Sequence, residues 1–198
     1  MPIRILSEAP HPWGDYGDIL AQGMADESAR APDGGLELER TGPFVPPITF
    51  PAMSVIVVTD EFRSQLEQSG LSGFTLRPVH KSRIVRLDWH QWDQSAPDPP
   101  VFPDSGEPED YVFGGSHDVA VAQAIGPLWE VVLSPGVTVQ RVPPSGVATS
   151  IYVLASTWTG ADLFLAESVG YIYASERAQE WFLGAVRRWV EFQDCIIR

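Results

Sequence analysis

The chain has 198 residues, 44% of them hydrophobic, with seven Trp, nine Phe and five Tyr. That length and apolar content suit one domain, 1–198, with a real core, and exclude wholesale disorder. The formal net charge is −13, so the surface repels DNA, RNA and anionic membranes and attracts basic partners. Cys195 is the only cysteine, too few for a disulfide framework or a structural zinc site. The opening stretch MPIRILSEAPHPWGDYGD carries no apolar run of signal-peptide type, and no stretch of eighteen or more apolar residues occurs. These features point to the cytoplasm, with no nucleic-acid or membrane partner, no cofactor and no metal.

Residues 1–50 are weakly periodic and rich in Pro and Gly, and read as an irregular arm around the core. Within them Asp33-Gly34-Gly35 is a turn followed by the short alternating strand 36–39. Prolines exclude Pro46–Pro51 from a central strand. Ser54–Val58 is a β-branched run and predicts a buried strand. Thr59 or Asp60 caps a helix with Phe62 and Leu66 on its apolar face, Gly70 ends it, and Phe74–Val79 is the next strand. Ile84–Trp89 predicts a further strand, residues 95–108 a long Pro-rich loop, and Asp118–Ala124 a short helix. Strands are also predicted at Leu128–Leu133 and Ile151–Ala155.

The C-terminal stretch repeats the pattern. Gly170–Ala174 is a strand, Ser175 caps, Ala178 and Phe182 share a helical face, and Trp189–Ile197 alternates like a strand. The competing reading extends the helix to Cys195 through Trp181, Ala185, Trp189 and Phe192, but the alternation of Val190, Phe192, Asp194 and Ile196 favours the strand. At an offset of 116, Thr59 matches Ser175, Asp60 matches Glu176, Leu66 matches Phe182, Phe74 matches Val190 and Leu76 matches Phe192. The expected fold is therefore α+β, a mixed sheet with a few short helices, with two strand–helix–strand pseudo-repeats at 54–79 and 170–197.

Catalytic chemistry finds little support. No GxxxxGK[ST], GxGxxG or GxSxG occurs. Gly114-Gly115-Ser116 precedes a short helix without a basic residue to meet a phosphate. Ser116-His117-Asp118 has the letters of a triad, but consecutive side chains point different ways. Asp88 and His90 on a strand put two metal ligands on one face, with His80 or His117 as a third, and Asp88, His90 and His117 define the alternative reading of a small metal-dependent or acid–base hydrolase. Glu107, Glu109 and Asp110 read as solvated acids on an exposed loop, and Cys195 as a core thiol.

Three segments resemble bacterial immunity proteins that protect a cell from its own secreted toxin. They are VIVVTDEFRSQLEQSGLSGFTLRPV (55–79), TWTGADLFLAESVGYIYASERAQEWF (157–182) and WVEFQDC (189–195), together about a third of the chain. The second is similar to the C-terminal part of the double-CXXCG immunity group, through its Trp-x-Gly-x-Asp-x-Phe stretch and the strand running into Ser-Glu-Arg. The CXXCG pairs of that group are absent here, so no zinc site is carried over. The resemblance implies binding without catalysis, with a toxin as the partner protein.

Charge placement suggests where. Arg77, Lys81, Arg83 and Arg86 cluster, and no Lys or Arg follows until Arg141, while nine acids lie between. The expected partner surface is the acidic loop with Asp98, Asp104, Glu107, Glu109 and Asp110, edged by Trp92 and Tyr111, facing a basic toxin.

Overall fold

The computed structural model describes residues 3–142, 150–166 and 169–198; Glu167 and Ser168, in the second stretch of resemblance, lie outside them. The chain begins with β1 (Ile3–Glu8), α1 (Asp15–Gln22), β2 (Met24–Arg30), β3 (Leu36–Gly42), β4 (Ile48–Ala52), β5 (Val55–Thr59) and α2 (Asp60–Gln68). Next come β6 (Phe74–Arg86), α3 (Asp110–Phe113), α4 (Val119–Ala124) and β7 (Leu128–Leu133). The last part holds β8 (Pro135–Val137), β9 (Val139–Val142), β10 (Ser150–Val153), β11 (Leu163–Ala166), β12 (Val169–Ser175), α5 (Glu176–Val186), β13 (Val190–Asp194) and β14 (Ile196–Ile197). The protein is α+β with mixed sheets. Among the described residues, no helix is long and apolar enough to cross a membrane.

Two predicted features are corrected. Residues 1–50 are not an irregular arm: they supply β1, which is hydrogen-bonded on both sides in the sheet β13-β1-β12-β11-β8, and three strands of a second sheet. Only Ile3 and Leu6 of β1 are buried, so no clean alternation marks it in the sequence. The expected strand Ile84–Trp89 is not separate either: Ile84–Arg86 end the thirteen-residue β6, and Asp88 and His90 lie beyond it, at and within the 3-10 turn Trp89–Gln91, not on one strand face. Pro78 stands where pairing with β7 ends, opposite Trp129, and pairing with β3 begins, at Val79 opposite Leu36. A missing N–H there interrupts neither ladder midway. Pro51, by contrast, sits on β4, an edge strand of the sheet β2-β3-β6-β7-β5-β4, as the prolines demand.

The two strand–helix–strand units share one topology. In the first, β5 and β6 flank α2 and both pair antiparallel with β7, which lies between them. In the second, β12 and β13 flank α5 and both pair antiparallel with β1. The outer hairpin partners, β4 and β11, complete four-strand orders β6-β7-β5-β4 and β13-β1-β12-β11. The fourth strand of the second unit thus comes from the N-terminal segment. The five residue pairs at the 116 offset occupy equivalent places. Thr59 accepts from the Phe62 amide and Ser175 from the Ala178 amide. Leu76 pairs with Val131, and Phe192 with Leu6.

The units bury their helices against each other. Ile56, Val58, Phe62 and Leu66 meet Ile172, Ala174, Ala178 and Phe182 in one cluster, with the Phe62 ring 5.5 Å from Trp181 and 6.2 Å from Phe182. Each Ile, Val, Leu or Phe among them contributes about 1.5–3 kcal/mol through burial. Asp162 pins the joint. Its carboxylate accepts from the Ser72 amide and hydroxyl, both at 2.9 Å, and from the Ser175 hydroxyl at 2.8 Å. Burial alone raises a carboxyl pKa, but these hydrogen bonds and Arg177 outweigh it and hold Asp162 below the usual value. Gly73, at φ +97°, lies against the Leu163 carbonyl oxygen with no room for a Cβ.

The six-stranded sheet curls into a nearly closed barrel around Leu36, Leu38, Val55, Val57 and Leu128. Its edge strand β2 reaches back across the gap. Glu27 accepts from the Ser54 amide and hydroxyl beyond β4, and Arg30 meets the buried Glu130 of β7 at 2.6 Å. A third, small sheet has the order β14-β10-β9.

His11 joins β1 to this barrel. The Gln22 oxygen accepts from the Phe50 amide, so its NH2 donates to His11 Nε2 at 2.6 Å, and the imidazole is neutral with its proton on Nδ1. Burial, with the Arg188 charge adding, pushes His11 down to about 4.

Two outcomes follow from this packing. Gly73→Ala forces both strain and overlap at the joint, and lowers unfolding free energy by about 2 kcal/mol or more, read as a reduced urea midpoint at unchanged slope. The depressed His11 pKa makes the unfolded chain bind the extra proton first, so stability falls as pH drops from 6.5 towards 4. His11→Gln removes that part of the pH dependence, measured by urea unfolding at each pH.

Candidate functional site

The Pro-rich loop between Trp92 and Asp110 is held at intervals by aromatic side chains. Trp13 donates its indole N–H to the Ala96 carbonyl at 3.0 Å, and Tyr16 its hydroxyl to the Gly106 carbonyl at 2.6 Å. The Tyr111 hydroxyl donates to the Val101 carbonyl. Burial first, then Tyr16, pushes Tyr111 up to about 12, so it remains a donor across the neutral range. Trp13, Tyr16, Phe44, Trp89, Trp92 and Tyr111 form one cluster with Leu20 and Ala21 of α1. The positions bearing these hydrogen bonds, Ala96, Val101, Gly106 and Tyr111, are spread along the loop, so each stretch between them is short.

The cluster is itself fixed to the barrel. Arg40 on β3 is fully buried and donates from Nη2 to Ala21 O, while Thr41 Oγ1 donates to Leu20 O. These bonds satisfy carbonyls in the last turn of α1, where a cation also meets the negative end of the helix dipole. Burial pushes Arg40 down to about 9, still cationic at neutral pH. Trp13 adopts φ 70°, a conformation of a bulky residue that persists only where surroundings over-determine it. Here they are the Ala96 hydrogen bond and the Trp92 ring at 5.8 Å.

The expected surface residues divide into two sets. Asp98, Asp104, Glu107 and Glu109 are exposed, and Asp110 opens α3 half-buried. Among the described residues none of these five carboxylates has an ion-pair partner within 4.0 Å. Trp92 and Tyr111 were expected at the edges of the surface, but Tyr111 is 6% exposed and Trp92 packs against it. They support the loop from beneath. The sequence reading missed the apolar members of the same surface: Phe102 is 46% exposed, with its ring edge-on to Tyr16 at 5.1 Å, and Val101 and Phe113 are 53% exposed. Only their place within an acidic, Pro-rich stretch hints at this. An open groove of about 330 Å³ runs between the loop and the end of β6, past Arg86, Phe102, Asp104, Asp110 and Tyr111.

The basic cluster on β6 is internally engaged. Arg77 donates to the Gly34 carbonyl and Lys81 to the Ala122 and Gly126 carbonyls at the end of α4. Arg83 pairs with Glu39 at 3.3 Å and Arg86 with Asp118 at 2.9 Å. Arg86, which lines the groove with Asp104 and Asp110, is thus paired with Asp118 and with none of the loop acids among the described residues.

Catalytic candidates are not drawn together. His117 Nδ1 accepts the Ile84 amide, His90 stacks on Phe44 at 3.8 Å, and Asp118 caps α4 through the Val121 amide. Among the described residues, no group of three or more His, Cys, Asp or Glu side chains could hold a metal. His80 instead pairs with Asp33 at 2.8 Å. The Trp-x-Gly-x-Asp-x-Phe stretch is structural: Trp158 donates to Ala161 O, Asp162 pins the joint, and Phe164 stacks on Tyr173 at 5.8 Å. Cys195 is half-buried and its thiol donates to Ile3 O. No protein-family model matches the chain, and no curated protein matches it in sequence.

Trp13→Phe keeps an aromatic ring, though a smaller one, and deletes the bond to Ala96. It costs about 1 kcal/mol of stability and speeds amide hydrogen exchange across residues 93–109 relative to the strands, as read by mass spectrometry.

Proposed function

We propose that this protein is an immunity protein, which neutralises a cognate secreted bacterial toxin in the cytoplasm by binding it. The observation that carries the reading is a pre-ordered loop that exposes unpaired carboxylates together with the ring of Phe102, which lines one groove with Asp104 and Asp110. A basic partner is drawn in by the long-range field of the acids, which acts on the association rate. The aromatic and its neighbour Val101 then supply desolvated contact at low entropic cost, because the loop is already held in place. The net charge of −13 keeps this field negative although the β6 cations lie nearby. The resemblance of residues 55–79, 157–182 and 189–195 to immunity proteins supports the same class. Nothing in the arrangement of Asp88, His90 and His117 favours a hydrolase over it.

The test is co-purification of the toxin with the tagged chain from its native host, then a variant series on the complex. Asp98→Lys, Asp104→Lys, Glu107→Lys and Glu109→Lys together slow association by about tenfold or more at low salt and flatten its salt dependence. Phe102→Ser raises the dissociation rate, and both variants lose protection of cells expressing the toxin. Unchanged kinetics in both removes this surface; failure to recover any partner removes the immunity reading.

A further inference from the structure

We infer that the outer face of β2 and β3 carries a second recognition element, a groove that accepts an arginine side chain of a basic protein partner. This rests on the protein-binding reading and names what the partner presents. The groove has a volume of about 330 Å³. Met24, Ala25, Ala29 and Phe113 form its apolar walls, with Asp26 and Glu37 bringing carboxylates to it.

A break in strand register opens it. Ala25 pairs with Leu38 and Arg30 with Leu36, so residues 26–29 all stand opposite the single Glu37. The surplus bows β2 outward, as bulges do when they re-aim side chains. Asp26 fixes the bow by accepting from the Ser28 amide and hydroxyl at 2.8 and 2.6 Å. Those bonds, the hydroxyl's foremost, also hold its carboxyl below the usual range, so it is ionised at neutral pH. Glu37 is exposed and has no ion-pair partner within 4.0 Å among the described residues. Glu39 beside it is occupied by Arg83, whose Nη1 also meets the Phe113 carbonyl at 3.3 Å and steadies the end of α3.

The occupant follows from charge and shape. The chain carries −13, and this groove adds two carboxylates to the field of the acidic loop. A guanidinium is weakly hydrated, stacks on an aromatic face and pairs with carboxylates through a planar fork, while its aliphatic stem covers apolar walls. The exposed Phe113 ring and the Met24 and Ala29 side chains suit that combination. A lysine offers a comparable stem and the charge, but its ammonium is more strongly hydrated and lacks the planar fork and the face that stacks on a ring.

The probe is acetyl-Gly-Arg-Gly-amide titrated into the ¹⁵N-labelled full chain, whose spectrum also reports the fold of each variant. Saturable shifts are expected at the amides of 24–29, 37 and 113, with at least threefold weaker binding of the lysine peptide and none of the citrulline peptide. Asp26→Asn with Glu37→Gln weakens arginine binding about tenfold, and Phe113→Leu about threefold. Absence of saturable shifts at these amides, or equal binding of lysine or citrulline, overturns the assignment. A dimer in sedimentation velocity that Phe113→Ser abolishes gives the groove to a second copy and overturns it too. The readout needs no toxin, so its failure leaves the loop variants standing, and failure to recover a toxin leaves this result standing.

Discussion

Each four-strand unit has one helix and one apolar sheet face, and neither can cover both alone. The units therefore press α2 and α5 together over a common core, with Phe62, Trp181 and Phe182 at the contact. Asp162 makes that contact directional. Its two oxygens bind Ser72, which follows α2, and Ser175, which caps α5. Apolar burial alone lets two faces slide; a buried carboxylate with fixed donors sets one register, because any other leaves it unpaired. The chain beyond each unit is then placed by this joint.

The loop that carries the candidate surface has a composition usually associated with mobility, yet it is built as a fixed object. Its prolines limit the backbone, and its carbonyls accept from side chains more than eighty residues away, as with Trp13 and Ala96. The tether runs further, from Trp13 through α1 to the buried Arg40 on β3. Acids that would repel one another on a free loop are held apart on a stiff one. The repulsion is small because each remains solvated, so the surface keeps its charge without loss of order.

The distribution of charge has the same logic at larger scale. The cations of β6 close helix ends and strand gaps, and Arg30 with Glu130 closes the barrel. Cations in such places have carbonyls and carboxylates as hydrogen-bond partners within the fold. The acids of the loop, and Asp26 and Glu37 at the β2 bow, face water. Phe113 stands between these two acidic regions, with Arg83 fastening its carbonyl from below.

Elements with local periodicity and local caps can be read directly from the order of residues. Val55–Thr59, α2 behind Thr59, Leu128–Leu133 and α5 behind Ser175 are all legible from β-branched runs and side-chain oxygens that meet amides three residues on. The 116-residue offset was legible too, because equivalent positions face equivalent surroundings. The acidic loop could be located from charge alone. What the sequence could not express was anything held by partners distant in the chain. β1 is a strand because β12 and β13 pair with it from the far end of the chain, and neighbouring residues carry no trace of that pairing. Trp92 and Tyr111 turned inward, and Phe102 and Phe113 outward, because exposure depends on which surfaces α1 and β6 already occupy. The arginine groove arises from a mismatch in register between two strands, and register is a relation between segments that only the tertiary structure fixes.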